Sequence, residues 1–237
     1  VSKVYLDANA SEPLRPEARA ALLAALSADA NPASVHAPGR AARVILDAAR
    51  DSLAARFGAH PARLVFTSGG AEANALAIHA LGMGALGTGA LGMGALGMGA
   101  PGEARRLVVS AIEHDSVLAA SPGAALLPVD ADGVVRLAEL PALLAKGPNA
   151  KAGALVCLMA ANNETGAIQP IAEAAAICRA HGALLHVDAI QAAGRIPLDL
   201  ARLGADSLAL SGHKLGGPLG AGALLFAADP PVRPLIP

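Results

Sequence analysis

Residues 183–226 read ALLHVDAIQAAGRIPLDLARLGADSLALSGHKLGGPLGAGALLF. Three short aliphatic runs stand out in it: Ala183–Asp188, Ser207–Leu210 and Ala223–Phe226, with one helical stretch near Asp199–Leu203 between the first two. Short apolar runs bounded by Gly, Pro and polar residues read as strands, and their alternation with Ala-rich helical stretches is the pattern of an α/β sheet. Working outward, the same alternation predicts strands at Leu64–Thr67, Leu107–Ala111, Ala125–Val129 and Ala154–Ala160, and helices near Ala71–Ala80, Arg136–Lys146 and Pro170–His181. The expectation is a mostly parallel seven-stranded sheet with helices on both faces, over residues 61–229. Helices near Pro16–Leu26 and Gly39–Phe57 form an N-terminal segment, 1–60, that leads into this domain, and 230–237 reads as a linker.

Composition narrows the function classes. At 237 residues and 23.3 kDa, with 54% hydrophobic and 16% charged residues, the chain has a core to bury and is not intrinsically disordered. A net charge of −1 provides no field for nucleic acid or an anionic membrane. Cys157 and Cys178 form no C-x-x-C pair, so neither a disulfide framework nor a metal site is expected, and a reducing cytoplasm fits. VSKVYLDANA at the start lacks the apolar stretch of a secretory signal. Residues 80–102 carry no charge until past Gly102 and are long enough to span a bilayer, but they repeat ALGMG with Gly at two of every five positions. Glycine costs helix stability at each, so this is read as a flexible low-complexity insertion without assigned function.

In open sheets ligands sit beyond the carboxyl ends of the strands. The first strand runs into Thr67-Ser68-Gly69-Gly70-Ala71-Glu72, which serves either as an anion cradle at a helix start or as a plain turn with Ser68 capping. Glu113-His114-Asp115 follows the second: the imidazole suits acid, base or stacking work, or is simply a satisfied polar residue, and Asp115 is a candidate cap. After the fourth strand, Asn162-Asn163-Glu164-Thr165-Gly166 is a turn or a set of amide contacts to a ring or carboxylate. Asp188 ends the fifth, with Gln191 one turn on; it caps the next helix or faces a cationic ring nitrogen, since a buried unpaired carboxylate is costly. Ser211-Gly212-His213-Lys214 ends the sixth, with Lys214 either a solvated loop residue or an amine poised to form a Schiff base. Together, an anion cradle, a stacking His, an Asp and a lysine amine are the parts that pyridoxal 5′-phosphate requires.

Six motifs in order, YLDANASEP, FTSGGAEAN, IEHDSV, NNETGAIQPI, HVDAIQAAG and SGHKLGGPLGAG, resemble the NifS/IscS-like cysteine desulfurases of the class V aminotransferase superfamily. The likeness covers nearly the whole chain outside the repeat. It implies the large domain of a fold-type I pyridoxal-phosphate-dependent transferase. The implied activity removes sulfur from L-cysteine, giving L-alanine and an enzyme persulfide for iron–sulfur cluster assembly. A homodimer is implied too, with a sulfur acceptor or Fe–S scaffold protein as partner. By the same resemblance, Lys214 forms the Schiff base and moves the substrate Cα proton, Asp188 holds the ring nitrogen protonated, and His114 stacks on the ring and relays protons. Gln191 would bond the phenolic oxygen, with Asn163 near that oxygen and the substrate carboxylate. Ser211 and His213 would join the Gly69–Gly70 turn on the phosphate.

Two departures stand against the family pattern. Ala71 occupies the place of a phosphate-binding Thr, a loss of about 1 kcal/mol. The family also continues beyond the position of Pro237 into a small C-terminal domain with a sulfur-accepting loop cysteine and a substrate-pairing arginine, so the resemblance implies a truncated chain. Neither Cys157, in a strand, nor Cys178, in a helix, matches that cysteine. The competing expectations are another class V enzyme, either a selenocysteine lyase or an aminotransferase, and a non-catalytic remnant that retains the fold.

Overall fold

The computed structural model describes residues 4–28, 30–82, 104–145 and 153–229. Its strands are β1 (Leu64–Thr67), β2 (Arg106–Ser110), β3 (Ala125–Leu127), β4 (Ala154–Met159), β5 (Leu184–Asp188), β6 (Ser207–Ser211) and β7 (Gly222–Phe226). They form one sheet in the order β1-β7-β6-β5-β4-β2-β3. The neighbours from β3 to β6 are parallel, and β7 runs antiparallel to both β6 and β1. The sheet is thus mostly parallel, as expected, with β7 its reversed strand.

The helices are α1 (Pro16–Leu26), α2 (Ala37–Arg56), α3 (Gly70–Ala77), α4 (Asp115–Ala119), α5 (Leu140–Ala145), α6 (Ile171–Ala180) and α7 (Leu200–Leu203). β4, β6 and β7 are buried at every position, because helices cover both faces. Alternation along β4 divides its side chains. Val156 and Leu158 pack in the cluster that includes Ile171, Ala174 and Cys178 of α6, while Leu155 and Cys157 join Ala73, Ala77 and Val117 of α3 and α4. Both cysteines are therefore core residues. Where β1 turns into α3 the chain passes against β7: a Cβ on Gly222 would lie 2.7 Å from the Gly69 backbone, so only glycine admits this approach.

Several boundaries shift for identifiable reasons. β3 ends at Leu127 rather than Val129 because Pro128 has no N–H for the ladder, and Val129 forms a separate bridge with Val135. The helix expected over Arg136–Lys146 is a 3₁₀ turn, Leu137–Glu139, followed by α5; Lys146 lies outside the described residues. α4, the helix that a cap at Asp115 implies, has no range in the sequence reading because it is too short to show a period. Residues 80–82, assigned from sequence to the insertion, instead belong to a buried π-helical turn, Ile78–Gly82, that extends α3. Most of the ALGMG repeat, and 230–237, lie outside the described residues. Among the described residues no helix is long and apolar enough to cross a membrane, and no His/Cys/Asp/Glu cluster could hold a metal ion.

Candidate active site

At the carboxyl edge of the sheet lies a cavity of about 550 Å³. Gly70, His114, Asn163, Asp188, Gln191, Ser211, His213 and Lys214 all line it. These residues are scattered along the sequence and meet because their strands run parallel and release their loops on the same side. Gly69, also singled out from sequence, is not part of the lining; it sits one residue away and packs against β7.

Asp188, at the end of β5, is 5% exposed. Its Oδ1 accepts from Ile190 N–H at 2.9 Å and its Oδ2 from Asn74 Nδ2 at 2.7 Å. Burial pushes its pKa up; the two hydrogen bonds and the charges of His114 and Lys214 pull against that. No cation lies within ion-pair distance of it among the described residues. Asn74, fully buried on α3, also receives His186 at 3.1 Å and reaches Ser116 Oγ at 3.1 Å. His186, buried behind Asp188 on the same strand face, is driven down to about 3 by burial and is therefore neutral.

Glu113 is a second buried acid beside the first. Its Oε1 accepts from Ser110 Oγ at 2.5 Å and from Met159 N–H at 2.7 Å, tying the end of β2 to the end of β4, whereas Oε2 has no partner among the described residues. Burial raises its pKa to about 8, helped by the charge of Asp188 and opposed by the Ser110 and Met159 hydrogen bonds. At neutral pH this carboxyl holds its proton. His114, the next residue, is the N-cap of α4: its Nδ1 accepts from Ser116 N–H at 3.0 Å. The cap was expected at Asp115, which is instead the first helical residue.

Lys214 stands in the 3₁₀ turn after β6, donating to the carbonyls of Asn9 and Ala10. Burial and the Arg195 charge lower its pKa, with Asp7 and Asp188 opposing. Gln191 Nε2 donates to the same Asn9 carbonyl at 2.9 Å, and Asn9 Nδ2 donates to Asn163 O at 3.0 Å. The Asn163 amide nitrogen in turn donates to Glu164 at 2.6 Å. A stretch of main chain from the N-terminal segment thus lines the cavity beside the lysine.

Around Gly70 the groups are small and polar. Ser211 Oγ meets His213 Nδ1 at 3.0 Å. Ser68 does not cap α3 through its hydroxyl; rather, Glu72 reaches back to accept from Ser68 N–H and Oγ–H, both at 2.6 Å, which lowers the Glu72 pKa. Ala71 lines the cavity without a polar atom.

Asn74, His186, Glu113 and the Asp7–Ala10 main chain were not picked out as site residues from sequence. Signals for two of them were present. Gly70, Ala73, Asn74 and Ala77 share the buried face of α3 at helical spacing, which sets a polar amide among small apolar residues. His186 and Asp188 are two apart on a strand and so share a face. Nothing local marks a carbonyl that will accept from a residue some two hundred positions away.

Comparison with known proteins follows the same lines. Residues 4–234 match the class-V aminotransferase family. An IscS-like cysteine desulfurase of Mycobacterium tuberculosis is 37% identical over 98% of this chain and 57% of its own length. The structure of a NifS-like protein from Rickettsia africae superposes with a TM-score of 0.81 at 29% identity, covering 100% of this chain and 60% of that one. A structure of SspA in complex with cysteine gives a TM-score of 0.80 at 29% identity, over 99% and 65%. The chain spans a little over half the length of the curated relatives it matches.

Proposed function

Since the chain belongs to the class V aminotransferase family, we propose that it carries the pyridoxal-phosphate chemistry of a cysteine desulfurase, acting on L-cysteine. One observation carries the reading: Asp188, Lys214 and His114, from three separate strand ends, line one cavity. The residues fit the cofactor because Asp188 is a buried carboxylate with no ion-pair partner among the described residues, and a protonated pyridine nitrogen is the partner its burial calls for.

In this reading Asp188 binds the ring nitrogen, His114 flanks the ring, Ser211, His213 and the Gly69–Gly70 turn bind the phosphate, and Gln191 and Asn163 serve the phenolic oxygen and substrate carboxylate. When bound, pyridoxal phosphate supplies an electron-withdrawing ring that accepts electron density from bonds at the substrate Cα. Lys214 supplies the amine that binds the aldehyde carbon and the base that moves the Cα proton. Its lowered pKa leaves more of the amine neutral, the form that can attack a carbonyl. To reach the cavity centre the amine must leave the Asn9 and Ala10 carbonyls. Gln191 donates to the same Asn9 carbonyl, whose second lone pair keeps that bond when the amine leaves. The same reading includes a homodimer, a sulfur-accepting or Fe–S scaffold protein as partner, and a role in iron–sulfur cluster assembly.

The test is to incubate the purified chain with pyridoxal phosphate, reduce with borohydride and map the adduct. An adduct on Lys214, with exchange of the Cα proton of added L-cysteine for solvent deuterium, supports the proposal. No adduct, or one on Lys146 or Lys151, overturns it.

A further inference from the structure

Asn74 is fully buried and uses every polar atom of its side chain. The Asn74 amide nitrogen lies 2.7 Å from Asp188 Oδ2, the arrangement that suits an ionised carboxylate, which only accepts. The amide oxygen then faces His186 Nε2 at 3.1 Å, and that ring nitrogen must carry the proton. His186 Nδ1 is left to accept from Ser207 Oγ at 2.8 Å. A neutral imidazole with a single proton satisfies both contacts, so His186 and Ser207 accommodate the amide orientation that the Asp188 carboxylate sets.

The second amide hydrogen of Asn74 goes to Ser116 Oγ, whose own hydrogen is then directed at His114 Nδ1, 2.9 Å away. Nδ1 also accepts from Ser116 N–H. It is an acceptor on both counts, so neutral His114 carries its proton on Nε2. One amide on α3 thereby touches the carboxylate at the end of β5 and, through one hydroxyl, the imidazole at the start of α4.

We propose that Asn74 is the positioning residue of this site: backed by His186 and Ser207, it orients the Asp188 carboxylate as an anion and, through Ser116, links that carboxylate to His114. The titratable groups that influence Asp188 are His114 at the start of α4, Lys214 after β6, Glu113 after β2 and Cys157 on β4, with His186 on its own strand. His114 and Lys214, when protonated, favour the anion; Glu113 and Cys157, when ionised, oppose it. Within this set Asn74 is the neutral donor bonded directly to the carboxylate, and among the described residues one other donor, Ile190 N–H, shares that task.

The ionisation part of this inference is independent of the cofactor; the role at a ring nitrogen rests on the function proposed above. The experiment separates the two. Carbon-13 NMR of the side-chain carboxyls in the cofactor-free chain reads the Asp188 titration directly. Asn74→Ala should raise it by about one pH unit or more, the loss of one charge-assisted hydrogen bond. Asn74→Leu, of similar size without a donor, should raise it too, and it keeps the test open if the alanine variant does not fold. Ser116→Ala, which cuts only the His114 arm, should leave the Asp188 titration in place. An unmoved Asp188 titration in a folded Asn74 variant overturns the proposal, whatever the change in melting temperature. Pyridoxal phosphate retention is then measured on the same proteins together with Asp188→Asn. Retention undiminished in Asp188→Asn counts against the cofactor reading alone, whereas retention lost in Asp188→Asn and weakened in Asn74→Ala joins the two.

Discussion

The sheet and the N-terminal segment meet at one cavity but are built on different principles. β4, β6 and β7 bury every residue, whereas α1 buries none and α2 only Gly39 and Ala54. Leu22, Leu23 and Leu26 on α1 and Val44 and Ile45 on α2 are exposed. The sheet gives the cavity side chains: Asp188, Lys214, His114, Ser211. The N-terminal segment contributes mainly main chain, with the carbonyls of Ala8, Asn9 and Ala10 accepting from Arg195, Gln191 and Lys214, and with Glu12 and Arg15 N–H donating to the His213 and Gly216 carbonyls. Close packing restrains a side chain from all directions, while main-chain hydrogen bonds hold a segment with little demand on its sequence. Substitutions should therefore be felt on the sheet and tolerated on the segment.

The largest effect expected is loss of cofactor attachment. Lys214→Ala should abolish the borohydride-reducible pyridoxal phosphate adduct, and Asn9→Ala should leave it formed, because the Asn9 carbonyl that meets Lys214 is unchanged by the substitution. Mass spectrometry of the reduced proteins reads both. If Asn9→Ala also loses the adduct, side chains of the segment matter and the contrast between the two regions fails.

Stability should follow the same contrast. Leu208 in β6 is fully buried, so Leu208→Ala should cost about 2–5 kcal/mol from lost transfer energy and the cavity left behind. Leu23→Ala on α1, at a side chain 56% exposed, should lie within about 0.5 kcal/mol of the parent. Urea denaturation measures both, and a comparable loss for Leu23 would mean that α1 has a packing partner.

The same division explains what could be read from sequence. Ala154–Met159 and Ser207–Ser211 were legible because burial on both faces produces uninterrupted apolar runs, and a polar residue such as Asp188 or Lys214 just beyond such a run is conspicuous. Eight of the nine residues singled out line one cavity, since a parallel sheet carries all its strand ends to one edge. Asn74 escaped notice because a single Asn in an Ala-rich helix has no local signature of what it will meet; its partners lie 112 and 114 residues away. The Asn9 carbonyl was invisible for a stronger reason: a backbone acceptor is the same atom in every residue.

An effect of similar size, dependent on pH, tests how the sheet edge tolerates two buried acids. An ordinary glutamate loses its proton near 4.5, but folded Glu113 keeps its proton up to about 8. Between these values the unfolded chain binds fewer protons than the folded one, so this group makes the parent less stable as pH rises, by up to about 1.4 kcal/mol per pH unit. Glu113→Gln has no proton to lose and keeps an acceptor for Ser110 and Met159. Its melting temperature relative to the parent should therefore climb from about pH 5 towards about pH 8. Asp188 titrates in both proteins and largely cancels from the difference. A gap that stays constant across this range would mean that Glu113 is ionised in the folded protein.

The smallest expected effect lies where the repeat leaves the sheet. Gly82 ends the buried turn after α3, and its carbonyl accepts from Arg105 N–H at 2.8 Å, while Arg105 Nη1 donates to the Leu81 carbonyl at 3.0 Å. The chain on either side of residues 83–103 is thus already held together by bonds that do not involve them. Closure entropy grows only as the logarithm of loop length, about 0.6 kcal/mol per doubling, so a long connection between fixed ends costs little more than a short one. Deleting Met83–Met98 leaves Gly99–Glu103 to close the loop. Gly82 itself is kept, because a Cβ there would lie 2.7 Å from a methyl of Leu107 and 3.0 Å from one of Leu155, which would have to shift. The deletion should change stability by under about 1 kcal/mol, with a slight gain from the shorter loop, and should leave cofactor uptake as it was. A drop in melting temperature comparable to that of Leu208→Ala would show that the repeat packs against the sheet and belongs with the sensitive region.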